Sequence, residues 1–105
     1  MLETLKKLFG IAPKADFTDL VNQGAIIVDV RSKAEFAGGH ISSSVNIPLD
    51  KLVGSIGKFK SKNQIIITCC ASGSRSATAK SVLSSRGFIN VYNGGSWMSL
   101  DRKIN

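Results

Sequence analysis

The stretch Cys70-Ala71-Ser72-Gly73-Ser74-Arg75-Ser76 constrains the fold more than any other part of this chain. It follows the apolar run Ile65-Ile66-Ile67 and precedes a helix-like segment from Ala77 to Arg86. A chain that leaves a buried strand, passes through small residues and enters a helix turns tightly at that point. The turn gathers backbone N–H groups and the positive end of a helix dipole around one sulfur atom. Both features favour a thiolate, the reactive form of cysteine. The stretch therefore reads as a nucleophilic cysteine that handles a sulfur or an oxyanion.

The rest of the chain supplies a scaffold for such a turn. Leu2 to Phe9 reads as a short amphipathic helix, and residues 1–14 form a helical lead-in ahead of one domain spanning 15–105. Asp16 caps a helix through Asn22 with Phe17, Leu20 and Val21 on its apolar side, and Gly24 stops it. Ala25-Ile26-Ile27-Val28 is a continuous apolar run, the mark of a strand buried on both faces in a parallel sheet. Ser32 caps a short helix through Phe36, with Glu35 completing a capping box and Gly38-Gly39 ending it. Val45-Asn46-Ile47 is a short strand cut off by Pro48. Leu49 to about Ile56 reads as a pair of helical turns punctuated by Gly54 and Gly57.

A strand from Gln64 to Cys69 then leads into the cysteine loop and a helix from Ser76, with Gly87 as its C-terminal stop. Phe88 to Tyr92 is a last strand, and Gly94-Gly95 leads into a terminal helical stretch around Trp97. Apolar strands alternating with short helices give an α/β fold with a mostly parallel sheet. In such sheets ligands collect beyond the carboxyl ends of the strands. Two strands place polar groups there: Asp29 and Arg31 after one, Cys70 and Arg75 after the other.

At 105 residues the chain is large enough for a single core. Its 43% hydrophobic and 20% charged residues are ordinary for a globular domain. No apolar run approaches the ~20 residues that span a bilayer. Lys6 and Lys7 precede an apolar stretch that Gly10 and Pro13 interrupt, so no signal peptide is read and a cytoplasmic location is expected. The net charge of +7 is partly concentrated at Lys51, Lys58, Lys60 and Lys62, without interleaved aromatics or a nucleic-acid motif. It reads as a solvated basic face that attracts small anions or an acidic protein. No nucleic-acid or membrane partner is expected, and the chain is expected to be a monomer.

Cys69 and Cys70 are adjacent, a spacing at which a disulfide strains the intervening peptide. Neither a C-x-x-C nor a His/Cys cluster offers metal ligands, so both thiols read as free and no metal is expected. On an extended strand the two side chains point to opposite faces, which makes Cys69 a packing residue or, as a sharper alternative, a resolving thiol.

Several ordered motifs resemble those of single-domain rhodaneses, the thiosulfate sulfurtransferase-like family. They are Asp29-Val30-Arg31, Glu35, Gly39-His40-Ile41, Asn46-Ile47-Pro48, the C-x-x-G-x-R-S loop at Cys70 to Ser76, and Gly94-Gly95 followed by Trp97. The resemblance covers about residues 16 to 100. It implies a rhodanese-like, mostly parallel five-stranded sheet flanked by helices, and a persulfide cycle on Cys70. Many members have a residue other than cysteine where this chain has Cys69.

On that reading Cys70 is catalytic and Ala71, Ser72, Gly73, Ser74, Arg75 and Ser76 form the substrate- or anion-binding loop. Small side chains leave the sulfur unencumbered, and Gly73 permits the backbone angles a cradle needs. Arg75 either grips the sulfonate end of thiosulfate or tethers the loop to a nearby carboxylate. Ser76 is expected as a helix-start cap, and Ser72 and Ser74 as solvated loop serines. Asp29 and Arg31 support the loop architecture, with Arg31 and Glu35 as a local ion pair. His40 is expected to be structural, hydrogen-bonded near the sheet edge, and Trp97 to lie in the core.

The leading function is transfer of sulfane sulfur from thiosulfate or another persulfide donor to cyanide, a thiol or an acceptor protein, with no cofactor. A cysteine phosphatase or arsenate reductase is the first alternative, since Cys69 to Ser76 also reads as C-x5-R-S. Against it, Thr68 stands where those phosphatases usually carry histidine. A persulfide carrier or docking module is the second.

Overall fold

A computed structural model of the chain describes residues 16–105. The helical lead-in expected over residues 1–14 lies outside this range. The helix α1 (Phe17–Asn22) opens on the Asp16 side chain, which accepts from the Asp19 N–H at 3.3 Å. Gly24, at φ +96°, then turns the chain into β1 (Ile26–Asp29). The helix α2 (Lys33–Ala37) carries a complete capping box. Ser32 Oγ accepts from the Glu35 N–H and a Glu35 carboxylate oxygen accepts from the Ser32 N–H. After α2 come β2 (Val45–Asn46), two 3-10 turns (Leu49–Lys51 and Val53–Lys58), β3 (Ile66–Cys70), α3 (Ser74–Ser85), β4 (Val91–Ser96) and α4 (Trp97–Ile104). No helix of the described residues is long and apolar enough to cross a membrane.

The strands form one sheet in the order β2-β1-β3-β4, with every pairing parallel. The described residues give four strands, where the resemblance implies five. Each apolar run read from the sequence becomes one strand, and the chain between β2 and β3 coils into 3-10 turns interrupted by Gly54 and Gly57 instead of adding another.

Both faces of the sheet are covered. On one, Val28, Val30, Ile66 and Cys70 meet Leu52 of the 3-10 segment and Ala79 and Leu83 of α3. On the other, Ile27, Ile67 and Cys69 meet Leu100 of α4 with Phe17 and Leu20 of α1. The period-two alternation of strand side chains thus separates the two cysteines onto different faces.

Two boundaries differ from the sequence expectation, and glycine geometry explains both. The helix after the loop begins at Ser74, because Gly73 serves as its N-cap at φ +109°, a conformation that side chains resist. Arg75 and Ser76 therefore lie in its first turn, and Ser76 is not the cap. The last strand begins at Val91 instead of Phe88. Phe88 is spent closing α3: its N–H reaches Leu83 O and the Gly87 N–H reaches Ser84 O, a Schellman motif with Gly87 at φ +93°. Gly94 and Gly95 lie inside β4, where the register slips from Thr68↔Asn93 to Cys70↔Ser96. A Cβ at Gly94 would stand 2.7 Å from Thr68 O and 2.9 Å from both Ile67 Cγ2 and Leu100 Cδ2, so only glycine fits.

Candidate active site

The carboxyl ends of β1 and β3 lie side by side, with Asp29 opposite Cys69 and the Val30 N–H donating to Cys69 O at 2.9 Å. Cys70 is the last residue of β3. Gly73 then reverses the chain so that the start of α3 faces back onto the strand end. The Gly73 N–H donates to Cys70 Sγ at 2.9 Å and the Ser76 N–H donates at 3.3 Å. Two backbone donors thus converge on the sulfur at the N-terminal end of α3. The expected amide cradle is present.

The expected openness is not. Cys70 is 0% exposed, whereas the sequence reading placed an unencumbered sulfur at the surface. Ala71, Ser72 and Ser74 are exposed. Small loop side chains are thus not enough to uncover the sulfur, because the strand end that carries it packs in the cluster with Val30, Leu52 and Leu83.

Arg75 is tethered. Its Nη1 and Nη2 donate to Glu35 Oε1 and Oε2 at 2.7 and 2.9 Å, a bidentate fork across the mouth of the site. The same Glu35 completes the capping box of α2. Its carboxyl is held down at about 2, first by Arg75 and then by the Ser32 backbone. The expected Arg31–Glu35 ion pair does not form. Arg31 instead pairs with Asp29, with Nη2 to Oδ2 at 2.7 Å and Nε to Oδ1 at 2.9 Å, both side chains being buried. A buried carboxylate two residues away on the same strand face claims the guanidinium first, and Arg31 reaches Glu35 only at its carbonyl. Arg31 Nη2 also donates to Gly39 O at 2.7 Å, and its guanidinium carbon lies 4.8 Å from the Trp97 ring centroid. Trp97 is half-buried and covers this pair. The Asn46 side-chain amide ties the backbone on both sides by donating to Asp29 O and Arg31 O. Asp29 and Arg31 thus form a buried brace that ties the end of β1 to Gly39 after α2.

Cys69 is buried among Ile27, Ile67 and Leu100. Burial, and secondly the charge of Asp29, push its thiol up to about 12. Its side chain lies on the face of the sheet opposite that of Cys70. His40 is exposed, stacks on Phe36 with ring centroids 3.7 Å apart, and donates from Nδ1 to Phe36 O at 2.7 Å. It caps the end of α2.

Sequence reasoning missed two groups of residues. An open cleft of about 600 Å³ lies beyond the ends of β1 and β2, lined by Val30, Leu49, Lys33, Asp50, Lys51 and Arg75 among others. Its floor residue Val30 shares an apolar cluster with Cys70. The second group is Thr68 and Asn93, both hydrogen-bonded to the Ser76 hydroxyl or carbonyl. A lone polar residue within the apolar run before Cys70 was the available signal for Thr68, since a buried hydroxyl needs a partner.

The chain matches the family model described as the rhodanese-like domain over residues 14–98. It is 38% identical over 71 residues to thiosulfate sulfurtransferase GlpE of Stutzerimonas stutzeri, a match taking in 68% of this chain and 64% of that protein. The chain therefore spans a little under two thirds of that relative. Among solved structures, a rhodanese-like domain protein from Staphylococcus aureus is 34% identical with a TM-score of 0.67, covering 80% of this chain and 86% of that one. A rhodanese with anions from E. coli is 28% identical with a TM-score of 0.69, covering 72% and 91%. A parallel α/β sheet, a cysteine at its carboxyl edge and a family match over most of the length agree, and the chain belongs to the rhodanese-like domain family.

Proposed function

We propose that this protein is a sulfurtransferase that carries sulfane sulfur on Cys70. The observation that carries the reading is the pair of backbone N–H groups, from Gly73 and Ser76, that converge on Cys70 Sγ at the start of α3. The relative named thiosulfate sulfurtransferase supports the substrate class.

In the first half-reaction the Cys70 thiolate attacks the outer sulfur of thiosulfate. The sulfur–sulfur bond breaks, sulfite leaves with the electron pair, and Cys70 holds a persulfide. In the second, an acceptor thiolate or cyanide attacks the outer persulfide sulfur and the Cys70 thiolate leaves. The cycle needs no metal, nucleotide or organic cofactor. The Gly73 and Ser76 N–H groups stabilise the anionic sulfur at both stages. The exposed turn at Ala71 and Ser72 moves aside for the donor, with Ser74 opening α3 behind it. Arg75, which lines the cleft while held by Glu35, offers its guanidinium to the sulfonate end of thiosulfate.

The cleft is much roomier than a small inorganic anion requires. Its apolar floor at Val30 and Leu49 and its Lys33 and Lys51 rim suit the body of an anionic thiol or an acceptor protein. We place the protein in the cytoplasm on its free thiols and take it to be a monomer.

Thiocyanate formation from thiosulfate and cyanide tests the proposal. Turnover by the wild type and none by Cys70→Ser is the expected pair of results. Equal turnover by the two, or hydrolysis of an aryl phosphate in place of sulfur transfer, contradicts it.

A further inference from the structure

Thr68 is a polar residue in β3 and is fully buried. Its hydroxyl lies 2.8 Å from Ser76 Oγ and 3.0 Å from Ser76 O. The Ser76 hydroxyl donates to Asn93 Oδ1 at 2.5 Å, and the Gly95 N–H donates to the same oxygen at 2.9 Å. Two donors on one atom identify it as the amide oxygen. With its single proton committed to Asn93, Ser76 Oγ acts as an acceptor toward Thr68, whose one proton is shared between Ser76 Oγ and Ser76 O. A directed series of hydrogen bonds therefore runs from β3 through the first turn of α3 to β4.

This series ends where the cradle begins. Ser76 is the residue whose backbone N–H donates to Cys70 Sγ. Gly73, the second donor to the sulfur, packs on Gly95, since a Cβ built at Gly73 would lie 3.6 Å from Gly95 Cα. Asn93 thus holds the hydroxyl of one cradle residue and the backbone that supports the other. Its own side chain is exposed and belongs to neither apolar cluster, so packing does not account for its contacts.

We propose that Asn93 is a positioning residue for Cys70, acting through Ser76 and Gly95 to keep two backbone N–H groups aimed at the sulfur. Hydrogen-bond strength falls steeply with misalignment, so an unanchored first turn weakens the cradle without removing either donor. The inference takes from the proposed function only that Cys70 reacts as a thiolate.

The test is the pH–rate profile of Cys70 alkylation by iodoacetamide in Asn93→Ala, Ser76→Ala and the double variant, each checked for native circular dichroism. Each single variant is expected to slow alkylation at neutral pH by about tenfold, the equivalent of one hydrogen bond. The profile should move to higher pH. The double variant should fall well short of the product of the two singles, because both remove the Ser76–Asn93 bond. An unchanged profile in Asn93→Ala, or effects that multiply in the double variant, overturns the proposal. If Asn93→Ala does not fold, Ser76→Ala decides alone. It leaves the Ser76 N–H in place, so a shifted profile reports lost anchoring and an unshifted one rejects it. Alkylation does not depend on sulfur transfer. A protein that forms no thiocyanate yet gives the expected profiles rejects the sulfurtransferase reading while leaving this inference intact.

Discussion

Arg75 and Glu35 stand 40 residues apart in the chain and are joined by two parallel hydrogen bonds, 2.7 and 2.9 Å long. This fork ties the first turn of α3, which carries the cysteine cradle, to the capping box of α2. The tie is partly exposed, with side chains 37% and 38% accessible, so its value lies in geometry more than in stability.

The Glu35 carboxyl, held at about 2 instead of its ordinary 4.5, makes the fork sensitive to acid. A carboxyl lowered in the folded state contributes stability that is fully present above its unfolded value and is lost as pH falls through the folded one. The fork should therefore be intact at neutral pH and open between about 4.5 and about 2. An NMR titration of the Glu35 carboxyl should show a midpoint near the lower value. A midpoint near 4.5 would mean that the fork does not persist in solution. Arg75→Ala should lower kcat/KM for thiosulfate by roughly 10- to 100-fold, as expected for losing a charge-assisted hydrogen bond to an anion.

Cys69→Ala should keep sulfur loading at Cys70 and lose about 1 kcal/mol of stability, from one small group removed from the Ile67–Leu100 side of the core. Urea denaturation measures the second and mass spectrometry the first. Loss of loading in this variant would make Cys69 part of the chemistry.

Asp29→Asn should be far more damaging. Arg31 is 4% exposed and would keep its charge with its partner's charge gone. Breaking a buried pair in this way typically costs about 3–5 kcal/mol. A thermal-melt change close to that of a surface substitution would contradict the brace.

Gly94→Ala tests the close approach of β3 and β4. Its Cβ would sit 2.7 Å from the Thr68 carbonyl, a backbone atom that cannot swing aside. Overpacking of this kind costs about 1–3 kcal/mol. Because Thr68 also bonds Ser76, sulfur-transfer activity should fall along with the melting temperature. Gly54→Ala, where an added Cβ meets open space, is the control and should leave both unchanged.

Much of this architecture was legible in the residues. The Ser32–Glu35 capping box, the buried runs of β1 and β3, and the opposite directions of Cys69 and Cys70 follow from local rules of capping and strand alternation. What failed was decided elsewhere in space. Gly94-Gly95 looks like a turn, because glycine is poor in strands, until Thr68 O and Leu100 are seen pressing against it. The partners of Arg31 and Glu35 depend on which carboxylate is buried, and α3 begins early because Gly73 adopts a positive φ. The burial of Cys70 also depends on tertiary contact, since Leu83, Val30 and Leu52 close around its strand end.

The most direct test of the account is the intact mass of the protein after incubation with thiosulfate, followed by peptide mapping. The account predicts one added sulfur atom on the peptide containing Cys70, removed by cyanide and absent from Cys70→Ser. Added sulfur that persists in Cys70→Ser, or a wild-type protein that takes up none, would contradict it.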